Sequence, residues 1–332
     1  MNITGERGAW SAHVARSTGV NAESEAWFAR CTWQDPQWSR AELAAAKGDH
    51  TVSVVLPALN EADTVHAVVA SVVPLLGTLV DEVVVMDSGS TDATVPQARS
   101  AGARVVHCTD VLPEFELRPG KGEVLWRSLA ATSGDYVVFL DSDLVAPDPE
   151  FAPTLLGPLL SGDGIELVKG FYRRPLRMEN DEFGTGGGRV TELLARPALA
   201  SLRPALSGII QPLGGEYAAS RRLLESLPLA AGYGVEIGLL LDTESAYGLD
   251  ALAQVNLGVR KHRNRSLLQL GVMAQQILGT ALVRCTSHPA GAGAVSVTAL
   301  TQFEQLAGEW LPEVTRVPVA DRPPMREICR RC

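Results

Sequence analysis

The sequence predicts an α/β fold in which a mostly parallel, Rossmann-like sheet carries helices on both faces. From Thr51 onward, short apolar runs alternate with stretches of helical periodicity, a pattern typical of right-handed β-α-β units and parallel strands. The runs are continuously apolar, as expected for strands covered on both faces. Polar residues follow several of these runs directly, at the strand ends where such sheets bind their ligands.

The elements of the first half follow from this alternation. Residues 51–57 (TVSVVLP) predict the first strand, and Asn60 offers an N-cap for a helix with Asp63 in its first turn. Three further strands are predicted at 82–86, 104–107 and 136–140, with helices at 91–100 and 121–132.

The second half is more mixed. Strands are predicted at 165–172 and 252–259. Helices are predicted from the glycine-rich segment at 186–189 through Leu202, at 234–247 and at 266–284. No internal repeat or low-complexity tract interrupts this order.

Composition excludes several classes of protein. The 332-residue chain has 29 basic and 38 acidic residues, a net charge of −9, which argues against a general nucleic-acid-binding protein. Its most hydrophobic late segment is interrupted by glutamines, so no membrane span is predicted. The N-terminal residues lack the basic-then-apolar order of a signal peptide. Five irregularly spaced cysteines favour a reducing, cytoplasmic location over a disulfide framework, and the C-terminal CxxC is weak support for a metal or redox site.

The segment Asp141 to Asp143 (DSD) is the sharpest chemical signal. A DxD often marks a solvated turn, but this one directly follows a buried strand, where two carboxylates are costly unless a cation or hydrogen-bond donors satisfy them. Carboxylate oxygens there suit Mg²⁺ or Mn²⁺ held jointly with a diphosphate. The common nucleotide fingerprints are absent, because PALNE follows the first strand in place of GxGxxG and the Gly120–Lys121 pair lacks the rest of a P-loop.

Two segments of the second half could bind anions. Three glycines and Arg189 open a predicted helix, where backbone amides and a guanidinium favour an anion, although a flexible hinge explains the glycines equally well. The run 260–265 (RKHRNR) holds four cations in an acidic protein, and it could equally be a solvated loop. Lys121 and Glu236, at two predicted helix starts, could contact a diphosphate and a sugar or simply be surface residues.

Together these residues resemble retaining glycosyltransferases of the GT-A fold. VSVVLPALNE is similar to the first strand and nucleotide loop of family-2-like transferases, and the DSD stands where their metal motif lies. PALNEADTV, VVMDSGSTDAT, RPGKGEVLWRSLAATSGD, FLDSDL, VKGFYRRPL, TGGGRVTELLARP, GEYAASR, GYGVEIGLL and QVNLGVRKHRN resemble the actinobacterial glucosyl-3-phosphoglycerate synthases. The resemblance covers roughly residues 30–325 in ordered blocks.

The resemblance implies a role for each matching residue. Residues that bind the UDP-glucose donor are implied to be Pro57, Ala58, Leu59, Asn60, Glu61, Ser88, Lys121, Asp141, Ser142, Tyr233, Gly234, Val235, Glu236 and Arg260. Those that bind 3-phosphoglycerate are implied to be Gly188, Arg189, Val190, Thr191 and Asn264. The implied metal ligands are Asp143 and His262, and the implied catalytic residues are Asp143, Glu236 and Lys121.

The implied reaction moves glucose from UDP-glucose to 3-phospho-D-glycerate with retention of anomeric configuration, assisted by Mg²⁺ or Mn²⁺. The family also implies small-molecule substrates and a homodimer, while charge and hydropathy predict no nucleic-acid or membrane partner. The close alternative is a mannosyl-3-phosphoglycerate synthase that uses GDP-mannose. A sugar-1-phosphate nucleotidyltransferase would carry a glycine-rich loop where PALNE stands, a nucleotide-sugar sensor needs no separate acceptor segment, and a polyprenyl-phosphate transferase would want a membrane anchor.

The residue pattern and the resemblance together predict four parts of the chain. Residues 1–50, with four of the six tryptophans, form an extension that docks on the core. Residues 51–150 form the nucleotide-sugar-binding, Rossmann-like half, residues 151–285 the acceptor-binding half, and residues 286–332 a C-terminal tail.

Overall fold

The computed structural model describes residues 21–175, 185–186, 188–259, 266–286, 299–306, 309–317 and 320–329. Its strands are β1 (Thr32–Trp33), β2 (Val52–Ala58), β3 (Glu82–Asp87), β4 (Arg104–His107), β5 (Tyr136–Phe139), β6 (Leu167–Pro175), β7 (Thr185–Gly186), β8 (Tyr217–Ser220), β9 (Leu252–Val259), β10 (Ala299–Leu306) and β11 (Glu309–Arg316). Its α-helices are α1 (Ala22–Cys31), α2 (Arg40–Lys47), α3 (Val65–Val72), α4 (Thr94–Ser100), α5 (Lys121–Ala131), α6 (Phe151–Leu160), α7 (Arg196–Leu202), α8 (Arg221–Ser226), α9 (Val235–Tyr247), α10 (Leu267–Cys285) and α11 (Met325–Cys329).

One mixed sheet organises the molecule. Its strand order is β1-β9-β6-β8-β5-β2-β3-β4, and β7 pairs with β6 outside this path. Neighbours along the path are parallel except where β8 lies antiparallel between β5 and β6. The carboxyl ends of β2, β3, β5, β6 and β9 therefore lie along one edge of the sheet, as the sequence predicts.

The central strands are buried on both sides. Every residue of β2 except Pro57 is buried, and the last five residues of β3 are buried. Side chains alternate between the two faces of a strand, so burial at consecutive positions requires helices on both faces. This confirms the α/β architecture predicted from the continuous apolar runs.

The first described residues are integrated with this core. β1 pairs in parallel with β9 at the sheet edge, so the sheet begins before Thr51. The Trp27 indole donates to the carbonyl of Leu252 at 2.9 Å, and the Trp38 side chain packs on Gly157 of α6. Gly157 is needed there, because a Cβ would lie 2.3 Å from the Trp38 ring.

The structure corrects two sequence-based expectations. Asn60 does not cap the next helix, since α3 begins at Val65 after Thr64 and Asn60 adopts a left-handed backbone with φ 57°. Gly186 belongs to β7, where it pairs with Arg174, and the helical segment starts at Arg189. That segment opens through a π-helical turn, Thr191–Ala195, before α7. The antiparallel strand β8 was not predicted from the sequence.

Candidate active site

Three loops meet at the carboxyl ends of β2, β3 and β5. In the register of the sheet, Ala58 lies beside Asp87. The Ser142 hydroxyl donates to the carbonyl of Pro57 at 2.7 Å, and the Ser88 amide donates to the carbonyl of Ala58 at 3.0 Å. These bonds join the predicted nucleotide loop to the loops that follow β3 and β5.

Asn60 shapes the nucleotide loop by a different route from the capping role expected of it. The Asn60 side-chain oxygen Oδ1 accepts from the Thr91 backbone N–H at 2.9 Å, and the Asn60 backbone N–H donates to the Ser90 hydroxyl at 2.9 Å. Asparagine tolerates the left-handed backbone better than most residues. The exposed Leu59 side chain and the half-buried Glu61 flank this turn.

Asp87 stabilises the loop that follows β3. It is buried, and its carboxylate accepts from the backbone N–H groups of Gly89 and Ser90 at 3.1 Å each. The His107 ring lies 2.9 Å from the same carboxylate. Asp87 therefore fixes the loop after β3, while Ser88 stands half-buried at its start.

A buried charged cluster lies beside the DSD segment. The Lys121 ammonium lies 2.6 Å from Asp141 Oδ1 and 2.8 Å from Glu236 Oε1. Glu236 is 5% exposed, so its carboxylate depends on this cation for compensation. Burial by itself disfavours the ammonium, but the carboxylates of Asp141 and Glu236 outweigh it and raise the pKa of Lys121 well above its ordinary value. One cation thus holds carboxylates from two distant segments in fixed positions.

Close backbone packing brings those segments together. A Cβ on Gly122 would lie 2.0 Å from the carbonyl oxygen of Ala230, and one on Gly120 would lie 2.7 Å from Cα of Gly232. The start of α5 and the turn that leads into α9 therefore touch through backbone atoms. Only glycine permits this approach, which sets Lys121 beside Glu236.

The same turn is held from its other side by α10. Gln276 Oε1 accepts from the Tyr233 N–H at 2.7 Å, and a Cβ on Gly234 would lie 2.1 Å from the Thr280 hydroxyl. Gly234, Val235 and Glu236 are buried and Tyr233 is half-buried. These predicted donor-side residues therefore form the turn that carries Glu236, the partner of Lys121.

Sequence reasoning missed three buried residues of this region: Lys169, Glu216 and Tyr217. Lys169 and Tyr217 are paired in the sheet, and the ammonium lies 4.5 Å from the centre of the Tyr217 ring. Burial lowers the pKa of Lys169 to about 8, and burial also raises the pKa of Tyr217 well above its ordinary value. A lysine inside the apolar run that predicts β6 was the available signal.

The predicted acceptor segment lies at the start of the helical stretch before α7. Gly188 accepts the first helical bond, from the Glu192 N–H at 3.0 Å. Arg189 is exposed, while Val190 and Thr191 are buried. The segment therefore carries the exposed residue Arg189 at a helix N-terminus, a favourable place for an anion.

A cavity of about 420 Å³ lies beside this segment. It is lined by Phe171, Tyr172, Arg173, Glu192, Arg196, Ile210, Gln211, Asn256, Gly258 and Val259. The ends of β6 and β9 thus form one wall and the helical segment that begins at Arg189 forms another.

Asp143 supplies hard oxygen atoms at the strand end and is half-buried, which fits a ligand of Mg²⁺ or Mn²⁺. Among the residues described, no group of three or more His, Cys, Asp or Glu side chains could hold a metal. The remaining ligands would therefore come from the nucleotide, from water or from elsewhere in the chain. The predicted ligand His262, together with Arg260 and Asn264, lies outside the described residues.

Comparison with known proteins gives a consistent result. The model of glycosyl transferase family 2 matches residues 53–177. Glucosyl-3-phosphoglycerate synthase of Mycolicibacterium smegmatis is 58% identical over 302 residues, which cover 91% of this chain and 98% of the relative.

Two crystal structures of glucosyl-3-phosphoglycerate synthase from Mycobacterium tuberculosis share the fold at 56% identity. One is in complex with Mn²⁺, UDP-glucose and phosphoglyceric acid. Its TM-score is 0.80, and the match covers 90% of this chain and 98% of that chain. The other is in complex with Mg²⁺ and UDP, with a TM-score of 0.81 and coverages of 90% and 99%. With these matches over nearly its whole length, the chain belongs to the glucosyl-3-phosphoglycerate synthase family of GT-A glycosyltransferases.

Proposed function

We propose that this chain transfers glucose from UDP-glucose to 3-phospho-D-glycerate with retention of anomeric configuration, releasing UDP. The observation that carries the proposal is the Lys121 ammonium between Asp141 and Glu236, directly beside the DSD segment at the strand ends. Relatives with the named activity, and their complexes with UDP-glucose and phosphoglyceric acid, support the choice of substrates.

The donor binds along the ends of β2, β3 and β5. The nucleotide loop, Pro57 to Glu61, takes the uridine with Ser88, while Asp141, Ser142 and the turn from Tyr233 to Glu236 face the sugar. Carboxylate oxygens accept hydrogen bonds from sugar hydroxyls, and the shared ammonium holds both carboxylates in place through ion pairs. Arg260 adds positive charge toward the diphosphate.

A divalent cation, Mg²⁺ or Mn²⁺, neutralises charge on the departing diphosphate when it is bound. Asp143 and His262 are the proposed protein ligands. Lys121 is balanced by Asp141 and Glu236, so the positive charge that a chain of net charge −9 offers to two anionic substrates comes mainly from the divalent cation, Arg189 and Arg260.

The acceptor binds at the helix start formed by Gly188 to Thr191, with Asn264. Arg189 provides a charge-assisted fork for the phosphate or carboxylate of 3-phosphoglycerate. The acceptor hydroxyl forms the new bond to the anomeric carbon as the bond from that carbon to the UDP oxygen breaks. The hydroxyl proton passes to the leaving phosphate oxygen on the same face.

This same-face substitution suits the carboxylates in the site. Asp141 and Glu236 are both ion-paired to Lys121, an arrangement that holds sugar hydroxyls better than it serves a nucleophile. Orientation and electrostatic stabilisation of the leaving group then supply the rate enhancement.

The decisive experiment is product formation from a panel of donors, with 3-phosphoglycerate and Mn²⁺ or Mg²⁺. UDP-glucose should be the preferred donor, and the product should keep the α-configuration in NMR spectra. Preferred turnover of GDP-mannose would instead support the mannosyl alternative. Pyrophosphate release from UTP and glucose 1-phosphate would indicate a nucleotidyltransferase.

We also propose that the protein is a cytoplasmic homodimer. Cys31, Cys108 and Cys285 are free thiols among the described residues, which suits a reducing compartment. None of the described helices is long and apolar enough to span a membrane.

The hairpin formed by β10 and β11 offers an apolar surface for dimer formation. In its register Thr301 lies opposite Val314 and Phe303 opposite Pro312, so these residues share one face. Phe303 and Val314 are both more than half exposed. The other face carries Gln302, which donates to Leu268 of α10. Light scattering of the wild type and of Phe303→Ser tests the proposal, and a monomeric wild type would contradict it.

A further inference from the structure

Lys169 is a buried cation next to the sugar-facing part of the site, and the proposed reaction leaves it without a role. It is 2% exposed and lies in β6, where it pairs with Tyr217 of β8 on one side and Gln254 of β9 on the other. A charged lysine in the middle of a buried strand is costly unless its ammonium is fully engaged.

Its ammonium is engaged by backbone and by an aromatic face. Lys169 Nζ donates to the carbonyl of Gly214 at 2.5 Å and lies 4.5 Å from the centre of the Tyr217 ring. The Tyr217 ring in turn packs against Phe139 at the end of β5, with ring centroids 5.0 Å apart. The Tyr217 hydroxyl is buried with no hydrogen-bond partner among the described residues, so the ring is held by packing and by the ammonium.

The backbone that Lys169 holds forms a wall against Asp141. Gly215 follows the bonded carbonyl of Gly214, and a Cβ on Gly215 would lie 2.3 Å from both carboxylate oxygens of Asp141. The Gly214–Gly215 turn therefore touches the Asp141 carboxylate directly. A small shift of this turn would move the carboxylate and the Lys121 ammonium bonded to it.

The charged groups around Lys169 also indicate that its ammonium is needed in this cluster. The charged groups that face it are Lys121 of α5, Asp141 after β5, Glu216 before β8 and Glu236 of α9. β9 contributes the neutral Gln254 beside it. Two ammonium groups thus face three carboxylates, so the ionised cluster already carries one excess negative charge and loss of either cation adds a second.

We infer that Lys169 is a positioning residue, which holds the Gly214–Gly215 turn against Asp141 and so fixes the Asp141–Lys121–Glu236 cluster for the donor sugar. The sugar assignment rests on the proposed function. Burial lowers the pKa of Lys169 to about 8, so its hold on the turn weakens as the pH rises through that range.

The test compares Lys169→Met, which keeps the length of the side chain and removes the charge, with Lys169→Arg, which keeps the charge. Lys47→Met is the matched control, because Lys47 is also a buried lysine that donates to a backbone carbonyl, that of Thr78, but it lies in α2. Calorimetry measures the affinities for UDP and for UDP-glucose with Mn²⁺, and kinetics give kcat and KM for each variant.

We expect Lys169→Met to weaken UDP-glucose binding about tenfold and lower kcat about 100-fold, with UDP affinity and the KM for 3-phosphoglycerate within twofold of wild type. Lys169→Arg should recover at least part of kcat, and Lys47→Met should keep the wild-type values. A Lys169→Met enzyme with wild-type kcat and wild-type UDP-glucose affinity would overturn the inference.

A second measurement needs no variant and covers the case in which Lys169→Met does not fold. The ratio of the UDP-glucose and UDP affinities of the wild type should fall between about pH 7 and pH 9.5. A constant ratio over that range would overturn the inference. These binding measurements need no acceptor, whereas failure of the wild type to turn over UDP-glucose with 3-phosphoglycerate would contradict only the proposed function.

Discussion

The nucleotide side and the acceptor side of the site are built in different ways. On the nucleotide side, the functional loops are direct continuations of β2, β3 and β5, and hydrogen bonds such as Ser142 to Pro57 tie them to one another. On the acceptor side, Arg189 stands exposed at the start of a helical segment that includes a π-helical turn. The first side is fixed by the sheet itself, and the second depends on segments that approach from elsewhere in the chain.

This difference suggests where substitutions should act broadly and where they should act locally. Changes in the buried cluster on the nucleotide side should affect both chemistry and folding. Changes at the exposed acceptor arginine should affect one substrate only. The predictions below run from the largest expected effect to the smallest.

Asp143→Asn should produce the largest loss of activity. The change removes the negative charge of the proposed metal ligand and keeps the size of the side chain, so turnover should fall on the order of a thousandfold. Steady-state assays over a range of Mn²⁺ concentrations measure the effect. Asp148→Asn, an exposed aspartate five positions along the same loop, is the control and should keep full activity. Full wild-type turnover in excess EDTA would contradict the metal assignment.

Lys121→Met should lower both activity and stability. It leaves the carboxylates of Asp141 and Glu236 close together without their cation, and breaking a buried pair in this way costs about 3–5 kcal/mol of unfolding free energy. Urea denaturation measures that loss, and kcat should fall about 100-fold or more. The matched control is Lys47→Met, which breaks the Lys47–Asp81 pair away from the site and should cost stability without loss of kcat.

The pH dependence of the Lys121 effect has a definite sign. The pKa of Lys121 is raised in the folded protein, so its stabilisation is fully present below the unfolded value near 10.5 and is lost only as the pH rises through the higher folded pKa. The difference in unfolding free energy between wild type and Lys121→Met should therefore not decrease between about pH 6 and pH 9. A difference that disappears by pH 9 would show that the ion pair is not what stabilises this cluster.

Arg189→Ala should affect the acceptor alone. Loss of one charge-assisted fork costs about 1.5–3 kcal/mol, so the KM for 3-phosphoglycerate should rise on the order of ten- to a hundredfold while UDP affinity stays unchanged. Arg99→Ala, which removes an exposed arginine from α4, is the control. Equal weakening of donor and acceptor binding would contradict the assignment of Arg189 to 3-phosphoglycerate.

The contrast between the two sides also explains what the sequence could predict. The strand ends were predictable because a continuous apolar run followed by polar residues has one interpretation in a parallel sheet, and Asp141 to Asp143 lie where that interpretation puts them. The ion pair between Lys121 and Glu236 could not be predicted, because it depends on backbone contacts between Gly122 and Ala230, which are more than 100 residues apart. Lys169 stands in the predicted strand β6, but its partner Tyr217 could not be predicted, because β8 is a four-residue strand with no clear sequence signal.

The smallest effect is expected at Asn60, where the capping prediction failed. Asn60 has a left-handed backbone, and its side chain accepts from the Thr91 N–H, so Asn60→Ala removes both a tolerated conformation and a hydrogen bond. We expect a loss of about 1–2 kcal/mol of unfolding free energy. Glycine tolerates the left-handed backbone, and the Thr91 N–H can bond to water in place of the Asn60 side chain. Asn60→Gly should therefore lose less than about 1 kcal/mol of unfolding free energy. Thermal and urea denaturation of the two variants give the comparison, and UDP affinity should fall in the same order. If Asn60→Gly proved as destabilised as Asn60→Ala, the hydrogen bond to Thr91 rather than the backbone conformation would be what shapes the nucleotide loop.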